Sequence, residues 1–256
     1  MKHVPNIFTL LNLFFGCMAI VFTLQTESVI IFMNDDYSSS FNIPESLTWA
    51  SICIGLAGLV DFLDGFVARL FKATSALGAQ LDSLSDVVSF GVAPAVILYQ
   101  LLRFSYAREE NGLDISIMFL IPSFILSCAA AYRLAKFNLD NSQSYHFKGV
   151  PTPAVGLLVA SFPLIMHFNA GAFGIENILI NKWVLYGIII LLSYLMVSNI
   201  PIMAMKFKDY TLKNNLPKIL LLVIAIICAL IFKWFAVPLV FFAYIILSLL
   251  YKNKLQ

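Results

Sequence analysis

The sequence predicts an all-α protein that crosses a membrane many times, and three observations predict it. Of its 256 residues, 61% are hydrophobic and 12% charged, with a mean hydropathy of +0.90; a soluble domain carries about 25% charged residues. So little polar surface cannot wrap a water-exposed globule, and the excess apolar side chains must face lipid. The apolar residues gather into eight runs, at 4–24, 47–66, 84–104, 115–135, 152–168, 183–204, 218–232 and 235–251. Most are close to the roughly 20 residues that one helix needs to span a bilayer. The basic residues between the runs fall mainly on alternate connections, as the loops of a multi-span protein do.

Taken in order, the first run follows Lys2 but is longer than a signal-peptide core. It leads into Gln25-Thr26-Glu27 rather than a small-residue cleavage site, so it reads as a retained helix. The segment 25–46 carries Glu27, Asp35, Asp36 and Glu45 without Lys or Arg; Ser38-Ser39-Ser40 and Pro44 mark it as an irregular connection. Lys233 and Pro238 leave little room for a turn between the last two runs, which form two helices or one kinked segment. An even number of spans puts both termini on one side. Twelve of the 16 basic residues then share that side, and Arg103, Arg108, Lys182 and Lys233 take the other. The positive-inside rule makes the first side cytoplasmic, as in a bacterial inner membrane. Trp49, Trp183 and Trp234 fall near helix ends, where interfacial anchors sit.

Several chemistries drop out. A net charge of +2 offers nothing to nucleic acid. Cys17, Cys53, Cys128 and Cys228 each stand alone in apolar runs, without the spacing of a disulfide framework or a zinc site. His3, His146 and His167 are isolated and receive no catalytic role.

Four aspartates carry the chemistry. A carboxylate at membrane depth costs roughly 2.5–3.5 kcal/mol even on the gentlest scale. Yet Asp61 and Asp64 close the second run, and Asp82 and Asp86 open the third. Spacings of three and four residues put each pair on one helix face, and adjacent helices would bring all four together. Oxygen-only donors favour Mg²⁺, Mn²⁺ or Ca²⁺ over zinc, and two divalent ions would balance four carboxylates, an arrangement suited to phosphoryl displacement. Gly65, Ala68 and Gly78 keep the carboxylate face small, which lets a bulky ligand approach the backbone or lets helices pack closely.

The full string is Asp61-x2-Asp64-Gly65-x2-Ala68-Arg69-x8-Gly78-x3-Asp82-x3-Asp86. At every fixed position it resembles the signature of the CDP-alcohol phosphatidyltransferase family. The resemblance implies a six-helix membrane core over about residues 1–204, with residues 205–256 as a C-terminal transmembrane extension. It implies that Asp61, Asp64 and Asp82 ligate divalent metal, and that Asp86 touches metal or the attacking hydroxyl. The CDP-lipid would lie beside Gly65, Ala68, Arg69 and Gly78.

Three further segments resemble the phosphatidylserine synthases within that family. They are Pro5-Asn6-Ile7-Phe8-Thr9-Leu10-Leu11-Asn12, Asp82 through Gly91, and Arg133-Leu134-Ala135-Lys136-Phe137-Asn138 with Lys148-Gly149-Val150-Pro151-Thr152-Pro153-Ala154. This resemblance implies transfer of a phosphatidyl group from CDP-diacylglycerol to serine, in a protein that acts alone or as a homodimer. Asn6, Thr9 and Asn12 form one polar stripe on the first helix, open to a cytidine or ribose or to interhelical hydrogen bonding. Arg133, Lys136 and Lys148 flank the connection between the fourth and fifth runs. They are candidates to hold the acceptor carboxylate or a donor phosphate, or to act as interfacial anchors. Asp86 is the candidate general base, or the group that orients the acceptor hydroxyl. Another acceptor, glycerol 3-phosphate or an inositol phosphate, would keep the same chemistry. A cation transporter fits less well, because the aspartates crowd one membrane face instead of the midplane.

Overall fold

The computed structural model describes residues 4–25, 31–33, 39–41, 44–70, 75–109, 115–139, 146–168, 174–203 and 212–251. Helix α1 (Val4–Leu24) packs along α2 (Glu45–Leu70). The next helix is the centre of the protein. Helix α3 (Ala76–Asp86) passes through a π-helical turn, Val87–Val92, into α4 (Ala93–Ala107), so that Ala76–Ala107 forms one 32-residue span. The predicted run begins only at 84, because Gln80, Asp82 and Ser83 interrupt the apolar pattern. The N-cap marks the true start: Ser75 Oγ accepts a hydrogen bond from Gly78 N at 3.0 Å.

Two 3₁₀ turns, Ile117–Phe119 and Ile121–Phe124, lead into α5 (Ile125–Leu139). Two shorter apolar helices follow, α6 (Thr152–Phe168) and α8 (Lys182–Val197), with the single-turn α7 (Ile175–Leu179) between them. The predicted sixth run reaches 204, but α8 stops at Val197, ahead of Pro201, which cannot donate to a continuing helix.

Helices α9 (Leu212–Phe232) and α10 (Ala236–Leu250) pack on each other around a 3₁₀ turn at Lys233–Phe235. Lys233, with φ at 51°, is the one non-glycine residue of positive φ among the described residues. The apolar stretch Asn215–Leu250 has 36 residues, and one straight helix of that length would reach about 54 Å, well beyond a hydrocarbon core of about 30 Å. It is therefore two helices. The chain is an all-α membrane protein: among the described residues five helical stretches are long and apolar enough to cross a membrane, beside the shorter apolar α6 and α8.

Two three-residue ribbons supplement the helices. Strands β1 (Ile31–Met33) and β2 (Ser39–Phe41) pair antiparallel within the segment read as an irregular connection. Strand β3 (His146–Lys148) pairs antiparallel with β4 (Pro201–Met203), joining the α5–α6 connection to the chain after α8.

The core lies where the π turn meets α1, α5 and α6. Phe90 on that turn is fully buried, as are Ile97, Leu98, Leu101 and Leu102 of α4. A helix apolar on every side belongs in the interior. Helix α1 approaches the π turn so closely that a Cβ on Gly16 would lie 2.3 Å from Ser89 Oγ. That approach lets Ser89 Oγ donate to Asn12 O at 3.0 Å. From the other side Ser127 Oγ donates to Gly91 O at 3.1 Å, occupying a carbonyl of the widened turn.

Candidate active site

Three of the four aspartates come together in one cluster, and the fourth lies beside it. Carboxylate oxygens of Asp61, Asp64 and Asp82 all lie within 4.8 Å of one another, two from α2 and one from α3. Asp86 stands one turn farther along α3, outside this trio, and is buried like Asp64. Two ionised carboxylates at 4.8 Å would repel by about 3.5 kcal/mol at an effective dielectric near 20. Three together need protons or a cation.

The donor set fits a divalent cation. Oxygens on one ion lie no farther apart than twice the metal–oxygen bond, about 4.2 Å for Mg²⁺ and about 5 Å for Ca²⁺. Donor atoms lying within 4.8 Å of one another are compatible with either ion. All three donors are hard carboxylate oxygens.

Helix α1 supplies the support. Thr9 Oγ1 donates to Asp64 Oδ2 at 3.0 Å, and Asn12 Nδ2 donates to Asp86 Oδ1 at 3.2 Å. Ser85 Oγ, between Asp82 and Asp86 on α3, donates back to Thr9 O at 3.0 Å. Thr9 and Asn12 are buried, and Asn12 Oδ1 has no hydrogen-bond partner. The polar stripe of α1 thus divides: Thr9 and Asn12 are engaged by the carboxylates, while Asn6 sits beside Gly78, whose added Cβ would lie 3.2 Å from Asn6 Oδ1. Gly65 differs. Among the described residues a Cβ there would meet nothing within 4 Å, so no described helix packs against it beside the carboxylates. The side chains of Ala68 and Arg69 lie outside the described residues.

The three predicted cations also come together. Arg133, Lys136 and Lys148 line one pocket with Tyr132, Phe137, Met196 and Val197. Arg133 is buried and donates to Thr152 Oγ1 at 2.9 Å, and its Nε has no partner. Lys136 is more open and donates to Asn199 Oδ1 at 3.1 Å. Arg133 lies within electrostatic reach of Asp86, which links the pocket to the carboxylates. Sequence reasoning missed Thr152 and Asn199 as partners of these cations, although Thr152 stands in the Lys148–Ala154 segment singled out above. Their pairing with α5 depends on how two connections fold back on it. The remaining support, Ser85 and Ser89, lies inside the Asp82–Gly91 motif itself.

Comparison with known proteins gives a consistent picture. A family model described as CDP-alcohol phosphatidyltransferase matches residues 2–194. The CDP-diacylglycerol–serine O-phosphatidyltransferase of Helicobacter pylori strain J99 is 35% identical over 201 residues, covering 77% of this chain and 70% of its own length. The protein of that name from Methanocaldococcus jannaschii is 38% identical over 148 residues, covering 57% and 60% respectively. An archaetidylserine synthase of Methanothermobacter thermautotrophicus is 36% identical over 130 residues, covering 50% and 52%.

Proposed function

The chain belongs to the CDP-alcohol phosphatidyltransferase family and is a phosphatidyltransferase, and we propose that it moves the phosphatidyl group of CDP-diacylglycerol to the hydroxyl of L-serine, giving phosphatidylserine and CMP. The observation that carries this reading is the juxtaposition of the carboxylate trio with a basic pocket, whose Arg133 lies within electrostatic reach of Asp86.

Asp61, Asp64 and Asp82 would hold one or two divalent cations, Mg²⁺, Mn²⁺ or Ca²⁺. Bound there, a cation would neutralise charge on the donor pyrophosphate and on the departing CMP. Thr9 and Asn12 keep the Asp64 and Asp86 carboxylates from rotating. The open face at Gly65 leaves room for the CDP-lipid. Arg133, Lys136 and Lys148 hold the serine carboxylate, so that the hydroxyl points toward Asp86. The serine oxygen forms a bond to the phosphorus on the diacylglycerol side, and the phosphorus–oxygen bond to CMP breaks in line. Asp86 takes the hydroxyl proton or fixes its direction.

Residues 1–204 form the catalytic core in this reading, and residues 205–256 a C-terminal addition. The active site and both termini face the cytoplasm, which the distribution of Lys and Arg supports. Ser39→Cys and Lys208→Cys should then label from opposite faces of sealed vesicles, and labelling from one face contradicts the orientation.

The decisive assay places purified protein in vesicles with CDP-diacylglycerol and offers serine, glycerol 3-phosphate or an inositol phosphate. CMP release and a new lipid are expected with serine. Turnover with a phosphorylated alcohol and none with serine would overturn the acceptor assignment, since a three-cation pocket also suits a phosphate.

A further inference from the structure

Helix α10 lies beyond the region that the family model matches, which ends at residue 194. Its sequence, AVPLVFFAYIILSLL, is apolar but for two interruptions, Tyr244 and Ser248, spaced to share one face. Both are buried. Together they take the two backbone polar groups of a single strand residue. Tyr244 Oη donates to Met203 O at 2.8 Å, and Met203 N donates to Ser248 Oγ at 3.2 Å. Ser248 Oγ donates in turn to Tyr244 O at 2.7 Å. Leu or Val would fill the same space if this helix only covered the core. The two hydroxyls instead fasten the end of β4.

What β4 holds is the basic pocket. It pairs with β3, setting Pro201 opposite Lys148. Gly149 N donates to Ile200 O at 2.9 Å and Val150 N to Leu195 O at 3.0 Å, so the chain from Lys148 is registered on the segment after α8. That registered chain delivers Thr152, the hydrogen-bond acceptor of Arg133. Tyr244 also lies within electrostatic reach of Arg133 directly. Helix α10 therefore acts on two cations of the pocket through the ribbon, on Lys148 by its register and on Arg133 through Thr152.

We propose that Tyr244 and Ser248 are positioning residues for the acceptor: they fix β4, and with it the placement of Lys148 and Arg133 relative to Asp86. The C-terminal helix pair thereby sets acceptor affinity without touching the reacting atoms. This inference rests on the reading of the basic pocket as the acceptor site.

Kinetics in vesicles test it. Tyr244→Phe keeps the ring and its packing but removes the donor to Met203; Ser248→Ala removes the acceptor, and Ser248→Thr restores a hydroxyl. Tyr244→Phe and Ser248→Ala should each raise the KM for serine roughly threefold to tenfold, the size of one lost neutral hydrogen bond. The KM for CDP-diacylglycerol and kcat should stay within about twofold, and Ser248→Thr should return most of the serine affinity. A loss shared equally by kcat and both KM values would mean that α10 only stabilises the fold, and would overturn the proposal. An unchanged serine KM in both variants, while Arg133→Gln or Lys148→Gln raises it, overturns the proposal and leaves the acceptor site standing. A serine KM unmoved by Arg133→Gln, Lys136→Gln and Lys148→Gln as well overturns both.

Discussion

The carboxylate site and the basic pocket adjoin each other, yet they are built by different means. Every aspartate sits inside a helix, and each supporting side chain, Thr9 and Asn12, is also on a helix. Helical periodicity alone determines which of them share a face. The cations come instead from α5 and from a short ribbon, held by main-chain bonds between segments some 50 residues apart in sequence (Val150 to Leu195, Gly149 to Ile200). The first site is placed by regular helices alone. The second depends on a chain of long-range contacts, so distant changes should reach it.

The largest effect tests the helix-borne half of this contrast. Asp61→Asn, Asp64→Asn and Asp82→Asn each keep the shape of the side chain and remove a charged ligand. Each should lower kcat/KM by at least about a hundredfold, with the protein still inserted and folded, because charge on the transferring phosphate loses its counter-charge. A chelator should abolish wild-type activity, and Mg²⁺ or Mn²⁺ should restore it. Full activity after exhaustive chelation would remove the metal from the mechanism.

Next come the cations. Arg133→Gln, Lys136→Gln or Lys148→Gln removes one charge-assisted hydrogen bond, worth about 1.5–3 kcal/mol, and should weaken serine roughly tenfold to a hundredfold. Affinity for CDP-diacylglycerol should change little. The reverse pattern would move these residues to the donor pyrophosphate, and no change in either would make them membrane anchors.

How legible each region was in the sequence follows from the same contrast. Asp61, Asp64, Asp82 and Asp86 could be placed together from their spacing, because three- and four-residue steps have one meaning on a helix. The π turn at Val87–Val92 could not, since one widened turn leaves the apolar pattern of that span intact. The start of α3 was obscured by its own function: Gln80, Asp82 and Ser83 make the first turns too polar to read as membrane helix. Around the basic pocket, Arg133 and Lys148 were visible as residues but their partners were not. Thr152 meets Arg133 and Asn199 meets Lys136 through turns, and Lys148 is set opposite Pro201 by a three-residue ribbon, none of which carries periodicity.

Two glycines sharpen the comparison further. Gly149, in the ribbon-borne half, has φ at +81°, and a Cβ there would lie 2.2 Å from Met196 O. Gly149→Ala forces a left-handed alanine against a backbone oxygen, a conformational cost alone of about 1–2 kcal/mol. Thermal stability and serine affinity should fall together. Gly65→Ala, inside α2 on the open face of the carboxylate site, should keep or slightly raise stability and weaken the CDP-lipid alone. Equal stability of both variants would break the distinction between a glycine kept for its backbone and one kept for ligand room.

The smallest effect concerns the residue through which α1 supports the carboxylates. Thr9 Oγ1 lies 3.0 Å from Asp64 Oδ2 and 3.2 Å from Pro5 O, but a hydroxyl has one proton. The shorter contact ends on a carboxylate, and charge makes that bond the stronger of the two. Thr9→Val keeps the branched shape, fills the same buried space and frees Asp64 to rotate. Partners that orient a metal ligand contribute about tenfold to a hundredfold in metal affinity when removed. The Mg²⁺ concentration for half-maximal activity should therefore rise about tenfold at the low end of that range. Because the ligand itself remains, saturating Mg²⁺ should bring kcat back to within about fivefold of wild type, unlike Asp64→Asn, which no concentration rescues. Isothermal titration of Mg²⁺ into the protein without substrate gives the same shift independently of turnover. An unchanged metal affinity with a lowered kcat would assign Thr9 to the nucleotide instead, returning the polar stripe of α1 to the donor lipid.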